Sequence, residues 1–203
     1  MKKLEREFYN RDSIIVAKEL LGKLIVHEID GIKVSARIIE AEAYMGLIDK
    51  ASHAYGGKKT PKTEIMYGGP GYSYIFTVYG KNNCFNIITQ EEGSPQAVLI
   101  RAAEPVDEIE HMSWERYGKN FEQLTKSQKK ALTNGPGKMC AALSIDASFN
   151  GSDLCGNEIY FVDDGIEEFE IVSTTRVGLE RIEEAREYPW RFYIKGNEYV
   201  SVK

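Results

Sequence analysis

The stretch from Lys23 to Tyr44 constrains the fold more than any other part of the chain. Residues 23–28 and 32–44 are rich in apolar and β-branched side chains, and Asp30-Gly31 lies between them as a tight turn. The pattern recurs. Residues 72–79 read as a strand, turn at Gly80-Lys81-Asn82-Asn83 and return as 84–89, while 97–103 reads as a buried strand. Residues 159–162, 169–173 and 190–194 read as further strands. Helices are expected from Asp12 or Ser13 to Leu21, closed by Gly22, and over 107–117 and 125–132. Another follows at 138–143 behind Pro136, with a short one near 183–186. Hairpins dominate over βαβ units, so the expectation is an α+β fold. It consists of a single domain over 1–203, a mostly antiparallel β-sheet core flanked by helices. At 203 residues, the chain can bury such a core without staples.

Other classes drop out on simple grounds. The longest apolar runs, such as Ile14-Ile15-Val16-Ala17, stop at a charge after a few residues, so no membrane span is expected. No apolar segment follows Lys2 and Lys3, which argues against a signal peptide. Cys84, Cys140 and Cys155 are odd in number and far apart, and His27, His53 and His111 form no spaced pair. A disulfide framework and a metal site are therefore not expected, and a reduced, cytoplasmic protein is the plain reading. The net charge of −5 argues mildly against a polyanionic partner. Its distribution does not: residues 50–86 hold five lysines against Glu64 alone, and 115–138 hold six cations against two glutamates. One basic face on an acidic molecule remains compatible with nucleic acid.

Three segments have the composition of a site. In the run Ile38-Ile39-Glu40-Ala41-Glu42-Ala43-Tyr44, strand alternation puts Val34, Ala36, Ile38, Glu40, Glu42 and Tyr44 on one face. A carboxylate that continues a buried face is costly unless paired or used. Either the glutamates are solvated or paired with arginine, or one of them does chemistry. In the second segment, Tyr72, Tyr74 and Phe76 share a face and Tyr79 stands beside Gly80 at a hairpin tip. Such rings pack a core or stack a nucleobase. Third, Asn134-Gly135-Pro136-Gly137-Lys138 is either an ordinary helix start or a phosphate contact. The set Glu42, Asp49 and His53 has the residue types of a nucleophile relay, but no serine or cysteine is placed to be activated.

Taken together, the motifs resemble the alkyladenine (3-methyladenine) DNA glycosylase family, the monofunctional base-excision type. The matching pieces run in the family's order over nearly the whole chain. They are Glu40-Ala41-Glu42-Ala43-Tyr44-Met45-Gly46, Asp49-Lys50-Ala51-Ser52-His53, Lys58-Lys59-Thr60-Pro61, Tyr79-Gly80 and Cys84-Phe85-Asn86. They continue as residues 98–105, Gly135-Pro136-Gly137-Lys138-Met139-Cys140, Arg176-Val177-Gly178, Trp190-Arg191-Phe192-Tyr193 and Tyr199-Val200-Ser201-Val202.

The resemblance implies an enzyme that flips alkylated, and also deaminated, purines such as 3-methyladenine, 7-methylguanine or hypoxanthine out of duplex DNA and hydrolyses the N-glycosidic bond. Strand cleavage is not implied. It implies that Glu42 is the general base, with Arg101 and the Val177 carbonyl positioning the water. Tyr44, His53, Phe76 and Asn86 would form the base pocket, and Asn86 would reject normal guanine. Tyr79 would wedge into the minor groove, with Lys81, Lys58, Lys59 and Lys138 on the DNA side. The implied partner is double-stranded DNA carrying such lesions, bound by a monomer, with no cofactor and no metal. Two departures stand out: Phe76 replaces a second pocket tyrosine that is frequent in the family, and Lys81-Asn82-Asn83 is a polar setting for the wedge. Two other readings are a non-catalytic module that binds damaged DNA, and a sugar hydrolase using Glu40 and Glu42 as its carboxylate pair.

Overall fold

A computed structural model describes residues 1–202. Nine strands form one sheet, and every strand pairing among the described residues is antiparallel. The strands are β1 (Lys2–Lys3), β2 (Leu24–Ile29), β3 (Ile32–Tyr44), β4 (Ser73–Val78), β5 (Asn82–Thr89), β6 (Gln96–Asp107), β7 (Ile159–Asp163), β8 (Ile171–Thr174) and β9 (Arg191–Ile194). They run in the order β1-β7-β2-β3-β6-β5-β4, and β9 pairs with both β3 and β8. The helices are α1 (Arg6–Tyr9), α2 (Ser13–Leu20), α3 (Ile109–Tyr117), α4 (Lys126–Lys130) and α5 (Pro136–Ala142). None of the described helices is long and apolar enough to cross a membrane. The α+β reading and its antiparallel sheet hold.

Local chemistry explains most element ends. Asp12 caps α2 by accepting from the Ile14 N–H at 2.8 Å, an interaction of about 1 kcal/mol. Thr125 and Gln128 form a reciprocal capping box on α4, and Pro136 opens α5. The expected helix at 183–186 is instead a single 3-10 turn, Ala185–Glu187. That at 125–132 shortens to α4. The core packs α2 and α5 against one face of the sheet, with Val16, Leu20, Ile38, Ala41, Phe85, Ile100, Met139 and Phe192 among its buried members.

Strand β3 is the axis of the molecule, and its alternation breaks in the middle. Ile38 stands opposite Ala103 and Glu40 opposite Ala102, so Ile39 has no partner on β6. One step later Ala41 stands opposite Ile100, and Arg101 has none on β3. These offset bulges turn the strands over. Val34, Ala36 and Ile38 face the main core, as do Ala41 and Ala43 beyond the bulge. Ile39 and Ala102 pack against Val200 on the far face, and Glu40 bonds Ser201 there. The single face expected from Val34 to Tyr44 is therefore two faces. The bulges bring Glu40, Glu42 and Arg101 together on the side away from the core.

At the end of β3, Gly46 has a φ of 62°, and a Cβ built there would lie 2.6 Å from the Pro95 carbonyl oxygen. Gly46→Ala therefore meets both left-handed strain and a backbone clash, and should cost about 2 kcal/mol or more, read as a lower urea midpoint with an unchanged slope.

Candidate active site

The far face of β3 is covered by β9, by the 175–179 segment and by residues 199–202. Glu40, Ala41 and Glu42 sit between β6 on one side and β9 on the other, with Glu42 opposite both Leu99 and Arg191. Both carboxylates are fully buried. Their surroundings differ. Glu40 Oε1 accepts from Arg101 Nε (3.1 Å), Arg191 Nη1 (2.9 Å) and Ser201 Oγ (3.0 Å), and Oε2 accepts from the Ser201 N–H (2.6 Å). Glu42 Oε1 accepts from the Val177 N–H at 2.8 Å and lies 3.4 Å from Arg101 Nη1, while Oε2 accepts from the Tyr44 hydroxyl at 2.9 Å.

Burial holds the Glu42 carboxyl above its ordinary value, against the opposing pull of Arg101, the Val177 N–H and the Tyr44 hydroxyl. Burial likewise drives the Tyr44 phenol well up, with the Glu42 charge adding to it. Desolvation opposes the charge of Arg101, but Glu42 and Glu40 outweigh it and raise its guanidinium above the usual value.

Above these groups opens a cavity of about 520 Å³, within the range of small-ligand sites. Tyr44, His53, Phe76, Tyr79, Asn86, Arg101 and Val177 all line it. Glu42 itself lies behind Tyr44, Arg101 and Val177, with no exposed surface. His53 and Phe76 stand edge to face at 4.6 Å between ring centroids, and the Tyr74 hydroxyl lies 2.7 Å from His53 Nδ1. Burial, then Lys62 and Lys58, lower the His53 pKa, which keeps its ring neutral near pH 7. The Asn86 amide donates to the Tyr74 and Cys84 carbonyls at 2.9 and 3.1 Å, which locks its rotamer and leaves Oδ1 for the cavity.

Tyr79 is 93% exposed at the tip of the β4–β5 hairpin and has a φ of 52°. A bulky residue in the left-handed region at a fully exposed tip is explained by neither packing nor turn preference. Lys81 shares that tip, and Lys58 lines a groove beside His53. Lys59 lies 3.9 Å from Glu64, and Lys138 is turned to Asn134 Oδ1 at 2.8 Å. Among the described residues, no three or more His, Cys, Asp or Glu side chains are grouped to hold a metal ion.

The relay of Glu42, Asp49 and His53 is not assembled. Asp49 instead forms a fully buried ion pair with Arg176, at 2.5 and 2.8 Å. The carboxylate pair of a sugar hydrolase is not available either, because both oxygens of Glu40 are taken up by its four donors. Both glutamates pair with arginine, Glu40 with Arg101 and Arg191 and Glu42 with Arg101 at the longer distance of 3.4 Å.

A fully buried carboxylate thus lies under an aromatic cavity, beside an exposed tyrosine tip. The family model for methylpurine-DNA glycosylase (MPG) matches residues 7–198. The chain belongs to the methylpurine-DNA glycosylase family. Relatives include proteins of Desulfitobacterium hafniense (strain Y51), 62% identical over 203 residues, and Clostridium novyi (strain NT), 55% identical over 203 residues, each with both chains fully covered. A protein of Clostridium acetobutylicum is 54% identical over 200 residues, covering 98% of both chains. All three are described provisionally as 3-methyladenine DNA glycosylases. This methylpurine-DNA glycosylase is thus an enzyme, a hydrolase of the N-glycosidic bond in DNA.

The residues that support this candidate site are not marked as such in the sequence. Arg176 lies against the rings of Tyr44 and Trp190, at 4.6 and 5.0 Å to their centroids, and donates to the Ala43 carbonyl at 2.9 Å. It precedes Val177, whose N–H meets Glu42. Arg191 and Ser201 are likewise distant in sequence from Glu40. Lys62 was part of the basic stretch, but its place over the Phe76 ring, 5.5 Å from the centroid, depends on the fold.

Asp49 also accepts from the Met45 and Ala51 N–H groups, at 3.1 and 3.0 Å, so one side chain ties the end of β3 to Arg176. Asp49→Asn leaves Arg176 buried without a counter-charge. It should cost about 3–5 kcal/mol, seen as a lower denaturation midpoint in urea.

Proposed function

We propose that this glycosylase excises methylated purines such as 3-methyladenine and 7-methylguanine from duplex DNA, with Glu42 as the base that deprotonates the attacking water. The observation that carries the reading is the Glu42 carboxylate itself: buried, short of hydrogen-bond donors compared with Glu40, and set directly behind the cavity wall. Breaking an N-glycosidic bond passes through a state with cationic sugar character, which a nearby carboxylate favours while it takes the proton of water. Arg101 and Val177 then orient the water. Tyr44 on one side and His53 with Phe76 on the other sandwich the flipped base, and Asn86 Oδ1 meets its edge. Tyr79 fills the space that the base vacates, and Lys58, Lys59, Lys81 and Lys138 contribute charge toward the phosphates.

The cavity favours leaving groups that already carry positive charge. His53 is neutral near pH 7, its Nδ1 is engaged by Tyr74, and Phe76 has no hydroxyl to give. A 3- or 7-methylpurine departs without protonation, whereas hypoxanthine needs an acid. In single-turnover assays on matched duplexes, 7-methylguanine should therefore be released at least about tenfold faster than hypoxanthine. Equal rates would require an acid that this arrangement lacks.

Glu42→Gln should lower release by about 10²–10⁴-fold while lesion DNA is still bound; full turnover in the variant would remove Glu42 from this role. The same change tests the buried charge. Because the folded protein raises the Glu42 pKa, its contribution to stability is complete below the unfolded carboxylate pKa and is lost as pH rises through the folded value. Glu42→Gln should then melt no lower than the native protein at pH 8, with the gap narrowing toward acid.

A further inference from the structure

Glu40 shares a strand face with Glu42 and is equally buried, and every donor around it comes from another part of the chain. Arg101 Nε reaches it at 3.1 Å from β6, Arg191 Nη1 at 2.9 Å from β9, and Ser201 through both N–H and hydroxyl. Arg101 is held at three points: Nε on Glu40, Nη2 on Ser201 Oγ at 3.2 Å, and Nη1 beside Glu42 at 3.4 Å. Its bulged place on β6 gives it no partner on β3, so these contacts set where its guanidinium points.

We propose that Glu40, clamped by Arg191 and Ser201, is a positioning residue that holds the Arg101 guanidinium against Glu42 and balances its charge during the reaction. This rests on Glu42 being the proton acceptor. Two carboxylates and two guanidiniums then form one buried neutral set, with Glu40 as the shared counter-ion of both arginines. The groups facing Glu42 are few. Its own strand contributes the Tyr44 hydroxyl and Glu40, β6 contributes Arg101, and the 175–179 segment the Val177 N–H. Arg191 stands opposite on β9. On β5 lies Cys84, whose thiol burial pushes up to about 11, so it remains uncharged near neutral pH.

Removing the Glu40 charge acts on Glu42 in two ways of the same sign. A like charge disappears, and Arg101 is left with one carboxylate to serve. Glu42 therefore ionises at lower pH, becoming a weaker base, while Arg101 loses its anchor.

The test is single-turnover release of 7-methylguanine from duplex DNA at saturating protein, followed across pH. Glu40→Gln should move the acid limb of the rate profile down by about one pH unit. It should also lower the plateau about 10- to 100-fold, with affinity for lesion DNA unchanged. Glu40→Asp restores charge but not reach, so the limb should return to its native position over a reduced plateau. Ser201→Ala, the mildest change, should lower the plateau by a few-fold and supports the proposal even where Glu40→Gln fails to fold. A native limb and native plateau in Ser201→Ala, or in a folded Glu40→Gln, overturns it. Glu42→Gln run alongside separates the two readings: if that variant keeps its turnover, the role given to Glu42 fails, whereas native-like Glu40 and Ser201 variants beside an inactive Glu42→Gln overturn only the positioning role.

Discussion

Two carboxylates and two guanidiniums buried on the far face of β3 set the terms for the rest of the structure. Taking an ion out of water costs several kcal/mol even after relaxation, and attraction repays this only when the remaining hydrogen-bonding capacity is met. Glu40 meets that condition with four donors. Glu42 meets it only in part, with two hydrogen bonds and a longer approach from Arg101. Chemically identical side chains two residues apart are thereby given different surroundings. In the proposed roles, one is neutralised and fixed and the other keeps basicity to use.

That division requires an unusual backbone. On a regular strand, the face that carries Ile38 into the core would also carry Glu40 and Glu42 into it. The bulges at Ile39 and Arg101 break the alternation on both strands, so apolar residues continue to face the core while the charged set emerges behind it. The cover over this set is then built from distant parts of the chain: Arg176 and Val177, Arg191 on β9, and Ser201. Because the supports lie on paired strands or are fixed by buried ion pairs, the geometry around Glu42 is held by the same contacts that hold the fold. Tyr79 is the opposite case. Its strained, exposed backbone is sustained by the hairpin beneath it and by no packing of its own side chain.

What could be read from the sequence follows from the range of each interaction. The strand pairs, the Asp12 cap and the Pro136 helix start are local, and their residue types announce them. Strand alternation was enough to group Glu40, Glu42 and Tyr44, since all three lie beyond the bulge. It failed for Val34 to Ile38 because a bulge depends on the partner strand and on what covers it, not on local composition. Asp49 is instructive. With Glu42 and His53 it has the residue types of a relay, yet its partner is Arg176, separated from it by 127 residues. The bonds from Arg191 and Ser201 to Glu40 span 151 and 161 residues. Nothing near these residues in sequence marks them, and only the motif order of a family pointed to their neighbourhoods.

The charge distribution bears on how recognition would be shared between surface and cavity. Of the lysines in 50–86, Lys50 pairs with Glu184 at 2.8 Å and Lys59 with Glu64 at 3.9 Å, while Lys58, Lys62 and Lys81 have no ion pair among the described residues. Each phosphate neutralised contributes roughly 0.9 to the slope of log affinity against log salt, so a handful of free lysines on a chain of net charge −5 gives weak non-specific attraction. In the function proposed above, such a surface would release undamaged DNA readily and leave discrimination to the cavity. There, in the function proposed above, stacking between Tyr44 and the His53–Phe76 pair would reward a flipped base, while the buried Glu42 charge would reward one that leaves as a cation. On that proposal, weak surface attraction and a demanding cavity are complementary: the first would keep the enzyme moving, and the second would make it stop only where the base can be removed.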